Sequence, residues 1–216
     1  MSNHLIAPSI LASDFSRLKD EIEMVNNSKA DWFHLDVMDG VFVPNISFGI
    51  PVIASMKKHA KKPFDVHLMI VQPERYIEDF KKCGADVLTV HFEASTHLHR
   101  TLDAIKKTGM KAGVAINPHT PISAIEEIMP YMDLLCIMAV NPGFGGQKFI
   151  ETTYNKTRQA RTMANSVNPD LHIEIDGGVT IQNYKQLVEC GANVLVAGNT
   201  VFSSENPVRT IEELKK

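Results

Sequence analysis

Short apolar runs rich in β-branched residues alternate along the chain with longer stretches of mixed charge. The runs are LIAPSI, DWFHLDV, FDVHLMI, DVLTVHF, KAGVAI, LLCIMAV, LHIEIDG and NVLVAG. They begin roughly 20 to 37 residues apart, about the length of a strand plus a crossover helix. The stretches between them carry helix punctuation. FSRLKDEIEMVNNS follows Ser13 and Asp14, both N-cap types. PERYIEDFKKCG has Pro73 near its first turn and stops at Gly84, and HLHRTLDAIKKTG stops at Gly109. TIQNYKQLVECG opens on Thr180 and stops at Gly191. Two of these helix-to-strand junctions, CGADVLTV and CGANVLVA, echo one another. Eight strand–helix pairs, with strands apolar on both faces apart from special positions, predict an α/β fold, a (β/α)₈ TIM barrel. An open doubly wound sheet is the competitor, but no G-x-G-x-x-G follows the first strand. No linker or low-complexity stretch breaks the chain, so residues 1–216 are expected to form a single domain.

The special positions stand out in HLDVMDG, His34 to Gly40. Alternate side chains of a strand share a face, so His34, Asp36 and Met38 point one way, and Leu35 and Val37 the other. A buried ionisable pair costs several kcal/mol unless it is paired or holds a metal. The stretch is therefore either a salt-bridged core strand or a site. Barrel chemistry sits at the C-terminal ends of the strands. Asp36 falls at such an end, His67 and Met69 fall at the next, and Asp176 closes the seventh strand on the face of His172 and Glu174. Any one of these has an ordinary structural reading. Together, His34, Asp36, His67 and Asp176 at matched depths make a four-ligand metal set. Asp39 reads as a turn residue. His91, His119, His97 and His99 read as structural or solvated, in loops or on an exposed helix.

Glycines follow the last three strands, in NPGFGGQ (Asn141 to Gln147), DGG (Asp176 to Gly178) and AGN (Ala197 to Asn199). Glycine allows close approach of backbone N–H groups to a ligand. The loops after strands seven and eight are the usual phosphate site of such barrels. A phosphate held by backbone amides is the expectation. Met38, Met69 and Met138 would form an apolar cap at the barrel mouth.

Composition narrows the class without changing this picture. Hydrophobic residues make up 44% and charged residues 22%, and the net charge is -3, so neither nucleic acid nor an anionic membrane is an expected partner. The three cysteines, Cys83, Cys136 and Cys190, are an odd number with no C-x-x-C, which fits a reducing compartment. The start, MSNHLIAPSILASDF, lacks the basic and apolar regions of a secretory signal, and no stretch approaches a membrane span. A cytoplasmic protein is expected.

IAPSILASDF, HLDVMDGVFVPN, FDVHLMI, VHFEAS, KAGVAINPHTP, MAVNPGFGGQKFI, IEIDGGV and VLVAGNTVF resemble, in the same order, the ribulose-phosphate 3-epimerase family. The resemblance runs from about residue 5 to residue 203. It implies a barrel of the ribulose-phosphate-binding type. The implied activity is an isomerase of the pentose phosphate pathway that interconverts D-ribulose 5-phosphate and D-xylulose 5-phosphate. It implies one divalent ion per subunit on His34, Asp36, His67 and Asp176; two His and two Asp suit Zn²⁺, Fe²⁺, Mn²⁺ or Co²⁺. Asp36 and Asp176 take the acid/base roles, and Ser9 and His67 contact substrate. Phosphate and hydroxyl contacts fall on Gly143, Phe144, Gly145, Gly146, Gly177, Gly178, Gly198 and Asn199. Homo-oligomers, dimers or hexamers, are implied as well. One position departs from the pattern: the last loop, usually Gly-Ser, reads Gly198-Asn199 here, which replaces a serine hydroxyl by an amide.

Inverting C3 beside a C2 ketone needs a base on one face and an acid on the other. Asp36 and Asp176, on strands across the barrel, would flank the sugar while the ion stabilises an enediolate. Three other readings stand beside this one. A hexulose-6-phosphate enzyme, for example one acting on D-allulose 6-phosphate, would share the residues and differ in pocket length. A metal-dependent aldolase would cleave C–C bonds through the same enediolate. A binding protein would not need an acid and a base on opposite faces.

Overall fold

The period-two runs become eight parallel strands. The structure, a computed structural model, describes residues 4–216. Its strands are β1 Leu5–Pro8, β2 Phe33–Met38, β3 Phe64–Met69, β4 Val87–His91, β5 Lys111–Ile116, β6 Leu134–Met138, β7 His172–Asp176 and β8 Val194–Ala197. Hydrogen bonding runs continuously in the order β1-β8-β7-β6-β5-β4-β3-β2. The last seam, between β1 and β2, is bridged by a parallel pairing of Ser9 with His34. Below that bridge, the N–H groups of Asp31 and Trp32 donate to the Ile6 carbonyl, at 2.8 and 3.4 Å. The sheet thus closes into the expected barrel.

Strand parity divides the core into two shells. Leu35, Val37, Val66, Leu68, Leu135, Ile137, Ile173 and Ile175 face outward into a continuous apolar layer beneath the helices. Phe33 and Phe64 pair in register there, edge to face at 5.7 Å. Such contacts add about 0.5–1.5 kcal/mol beyond area burial. They lock β2 to β3 one residue before the rungs that carry His34, Asp36 and His67. The inward shell has a smaller apolar cluster, Ala7, Trp32, Val87, Ala115, Leu134, Cys136, Met138, Val194 and Val196 among it. His34, Asp36, Asp65, His67, His91, Glu174 and Asp176 are the buried ionisable groups that share the inward face with it.

The crossover helices are α1 Leu18–Asn26, α2 Ile50–Lys57, α3 Ile77–Lys82, α4 Leu98–Lys107, α5 Thr152–Val167 and α6 Tyr184–Glu189, followed by α7 Asn199–Phe202 and α8 Pro207–Leu214. Gly84, Gly109 and Gly191 adopt positive φ after α3, α4 and α6, as expected of C-terminal stops. Asp14 accepts from the Ser16 N–H, capping a 3₁₀ turn ahead of α1. Two details differ from expectation. The helix placed at Thr180 begins four residues later, because Asn183 closes the turn first: its Oδ1 accepts from the Thr180 N–H and its Nδ2 donates to the Gly178 carbonyl. The β5–β6 crossover is not an α-helix but a 3₁₀ run, Ile122–Tyr131. Pro130 near its end has no N–H to donate.

Candidate active site and metal centre

Register brings the polar residues of β2, β3 and β7 to one level. Asp36 pairs with His67 across β2–β3, Met38 with Met69 one rung higher, and Met138 with Asp176 across β6–β7. The side chains converge at the C-terminal mouth. His34 Nε2 lies 3.2 Å from Asp36 Oδ1 and 3.8 Å from Asp176 Oδ2. His67 Nδ1 lies 3.2 Å from Asp36 Oδ1 and 3.5 Å from Asp176 Oδ2. All four ligand atoms fall within 4.8 Å of one another, and all four residues are buried.

These donors suit a divalent cation. Two carboxylates and two imidazoles meet in a buried space where like-charged oxygens would otherwise repel. Asp65 supports the arrangement from below. Its Oδ2 accepts from His34 Nδ1 at 2.6 Å, which leaves the Nε2 lone pair of the neutral ring facing Asp36 and Asp176, the usual carboxylate support of a liganding histidine. Burial pushes the His34 imidazole down, but Asp36 and Asp65 outweigh it and raise it well above the ordinary value. His67 is raised by its bonds to Asp176 and Asp36 against the same burial. Asp36 shows the converse: burial pushes it up, yet His34 and His67 hold it far below the usual carboxylate range. The site therefore accumulates positive charge, as protons when no cation is bound.

Above the quartet lies a cavity of about 260 Å³. Ser9, Asp36 and Asp176 line its floor, and Met38, Met69 and Met138 its flank. Residues of all three glycine loops form its rim, among them Gly143, Phe144, Gly145, Gly146, Gly177, Gly178, Gly198 and Asn199. Ser9 Oγ donates to Asp36 Oδ2 at 2.5 Å, fixing the carboxylate oxygen turned away from the histidines. The rim is cross-tied, because Asn45 Nδ2 donates to the Gly143 carbonyl at 2.9 Å. Gly178 has φ +65°, and a Cβ there would sit 2.9 Å from the Phe149 Cα. Gly178→Ala combines a disfavoured conformation with a backbone clash and should cost about 1–3 kcal/mol, measurable by denaturant unfolding.

Sequence reasoning missed His91. It is neither in a loop nor solvated: it ends β4 and is fully buried, with Nε2 2.9 Å from His67 Nε2. His119, His97 and His99 are exposed as expected. Asp39 has the expected turn role, accepting from the Val41, Phe42 and Val71 N–H groups. Asp65 was also missed, although strand parity places it on the face of His67. Glu174 lies beneath the quartet with His34 and Asp65 in a second, three-residue group. Burial, then the Asp65 carboxylate, push its pKa well above the usual carboxylate value, and it lies away from the cavity.

The profile of the Ribulose-phosphate 3 epimerase family matches residues 5–202. The chain belongs to the ribulose-phosphate 3-epimerase family. It is 51% identical to the ribulose-phosphate 3-epimerase of Synechocystis sp. over 211 residues, covering 97% of this chain and 92% of that protein. The Bacillus subtilis ribulose-phosphate 3-epimerase is 48% identical over 211 residues, 97% of each chain. The Escherichia coli K12 protein of that name is 41% identical over 216 residues, 100% of this chain and 96% of its own. As a ribulose-phosphate 3-epimerase family member the chain is an isomerase with epimerase activity, and its buried His/Asp group can hold a metal ion. More distant solved structures share the barrel. Orotidine 5'-phosphate decarboxylase from Pyrococcus horikoshii OT3 superposes with a TM-score of 0.71 at 13% identity, covering 98% of this chain and 97% of that one. A 3-hexulose-6-phosphate synthase does so with 0.68 at 18%, covering 98% of each. Among the described residues no helix is long and apolar enough to cross a membrane.

Proposed function

We propose that this epimerase interconverts D-ribulose 5-phosphate and D-xylulose 5-phosphate, with Asp36 and Asp176 moving the proton at C3. The observation that carries the reading is the placement of two aspartates, from β2 and β7, in one cavity under three glycine-rich loops. The phosphate group sits against the backbone of those loops, which places the ketose chain over the aspartates. A divalent ion held by His34, Asp36, His67 and Asp176 would supply Lewis-acid stabilisation of the negative charge that develops beside the ketone, worth several kcal/mol.

The chain's own residues do the rest. One aspartate removes the C3 proton from one face and the other returns a proton to the opposite face, the two exchanging roles when the reaction reverses. Ser9 holds Asp36 by one oxygen, so the second oxygen keeps a fixed direction. Met38, Met69 and Met138 limit water and sideways movement of the planar intermediate above the carboxylates. Comparison of kcat/KM on D-ribulose 5-phosphate and D-allulose 6-phosphate tests the substrate assignment. A preference for the pentulose is expected, and a preference for the hexulose overturns it.

Asn199 modifies the phosphate end. Its side-chain amide lies over Gly145 and Gly146, where a Cβ on Gly146 would approach Nδ2 to 2.7 Å. In this reading the amide donates to a phosphate oxygen in place of the family's serine. Asn199→Ala should raise KM about tenfold, the worth of one charged hydrogen bond, with kcat nearly unchanged. Steady-state kinetics checks both.

A further inference from the structure

Behind His67 runs a chain of polar side chains that the proposed chemistry leaves unused. His67 Nε2 faces His91 Nε2 at 2.9 Å, and His91 Nδ1 faces Glu93 Oε2 at 3.2 Å. Glu93 is anchored in turn: its Oε1 accepts from the Asn117 N–H at 2.8 Å and from the Thr120 hydroxyl. Lys156 Nζ donates to the carbonyls of Asn117, Pro118 and Thr120, at 3.2, 2.7 and 2.7 Å, securing that loop to α5. Phe42 covers the His91 ring at 4.6 Å between centroids.

Proton arithmetic gives the chain a direction. Two imidazole nitrogens 2.9 Å apart share one proton. A carboxylate accepts only, so His91 Nδ1 carries the proton that faces Glu93. A neutral His91 then has a bare Nε2, which accepts from His67 Nε2. Neutral His67 is left with a bare Nδ1, turned toward Asp36 and Asp176.

We infer that His91 and Glu93 are a positioning pair for His67, fixing the tautomer and ring angle that present the Nδ1 lone pair to a cation. The inference rests on the reading that the quartet binds a divalent ion. Neither residue touches the cavity or the substrate; they act through His67 as second partners of a liganding ring.

The test titrates metal-free full-length protein with Co²⁺ alone against a competing chromophoric chelator and follows the visible Co²⁺ spectrum. His91→Leu removes the acceptor and should weaken Co²⁺ binding about 10- to 100-fold. His91→Gln keeps an amide oxygen at that position and should recover most of the loss. Glu93→Ala, at the partly exposed end of the chain, should give an intermediate loss without unfolding, and decides the matter if His91→Leu does not fold. Folded variants that bind Co²⁺ as tightly as wild type overturn the inference, as do Leu and Gln variants weakened equally. Wild type that fails to bind Co²⁺ overturns the metal reading and the inference with it; weakening confined to the variants is a failure of neither.

Discussion

Asp36→Asn and Asp176→Asn should each lower kcat by roughly 10² to 10⁴, the contribution of a positioned acid or base, with folding intact. In free energy this is about 3–5 kcal/mol of transition-state stabilisation. The amide matches the carboxylate in shape but cannot take a proton at neutral pH. In the Asp36→Asn variant Ser9 Oγ can still donate to the new amide oxygen, so the Ser9 contact that bridges β1 to β2 survives. Each carboxylate also belongs to the ligand quartet, so metal content must be measured alongside kinetics. A variant that keeps its ion and loses the rate isolates the proton-transfer role. Near-normal activity in either variant removes that aspartate from the mechanism.

Stripping the divalent ion with a chelator should lower kcat/KM by about 10³ or more, a loss of several kcal/mol of charge stabilisation, restored on adding metal back. Thermal stability should follow. An ion bound only by the folded chain contributes about 4 kcal/mol at a thousandfold excess over Kd. The pH dependence has a definite sign. In the metal-free protein the pKa values of His34 and His67 are raised above 6.5. The stability they contribute is thus fully present below pH 6.5 and is lost as pH rises through the folded values. The increase in Tm on adding metal should therefore grow as pH rises from 6.5 through the raised folded-state values of His34 and His67. A metal-induced increase that shrinks over that range contradicts the proposed ligand set.

Strand parity made most of this site readable in advance. HLDVMDG, FDVHLMI and HIEIDGG each break an apolar run at alternate positions, and only a closed barrel sends all three polar faces to a common centre. The depth match depends on register, which pairs Asp36 with His67 and Met138 with Asp176. His91 escaped because DVLTVHF carries one histidine at its very end, where strand and loop read alike. The signal that could have found it is parity: Val87, Thr89 and His91 share a face, and Glu93 follows two residues on. Asp65 escaped because its partner His34 lies on a different strand, joined to it only through pairing. The start of α6 differs from expectation because Thr180 and Asn183 are both cap types, and side-chain bonds to Thr180 and Gly178 select the second. The 3₁₀ crossover has no clear periodic signal, since its apolar positions at Ile122, Ile125 and Met129 fit either helix.

The central claim is reversible proton transfer at C3 by the Asp36–Asp176 pair. Incubation with D-ribulose 5-phosphate in D₂O, followed by proton and carbon NMR, tests it most directly. The account predicts D-xylulose 5-phosphate with deuterium entering at C3, and loss of D-xylulose 5-phosphate formation in the metal-loaded Asp176→Asn variant. Unlabelled product, release of a two- or three-carbon fragment, or undiminished epimerisation in that variant would contradict it.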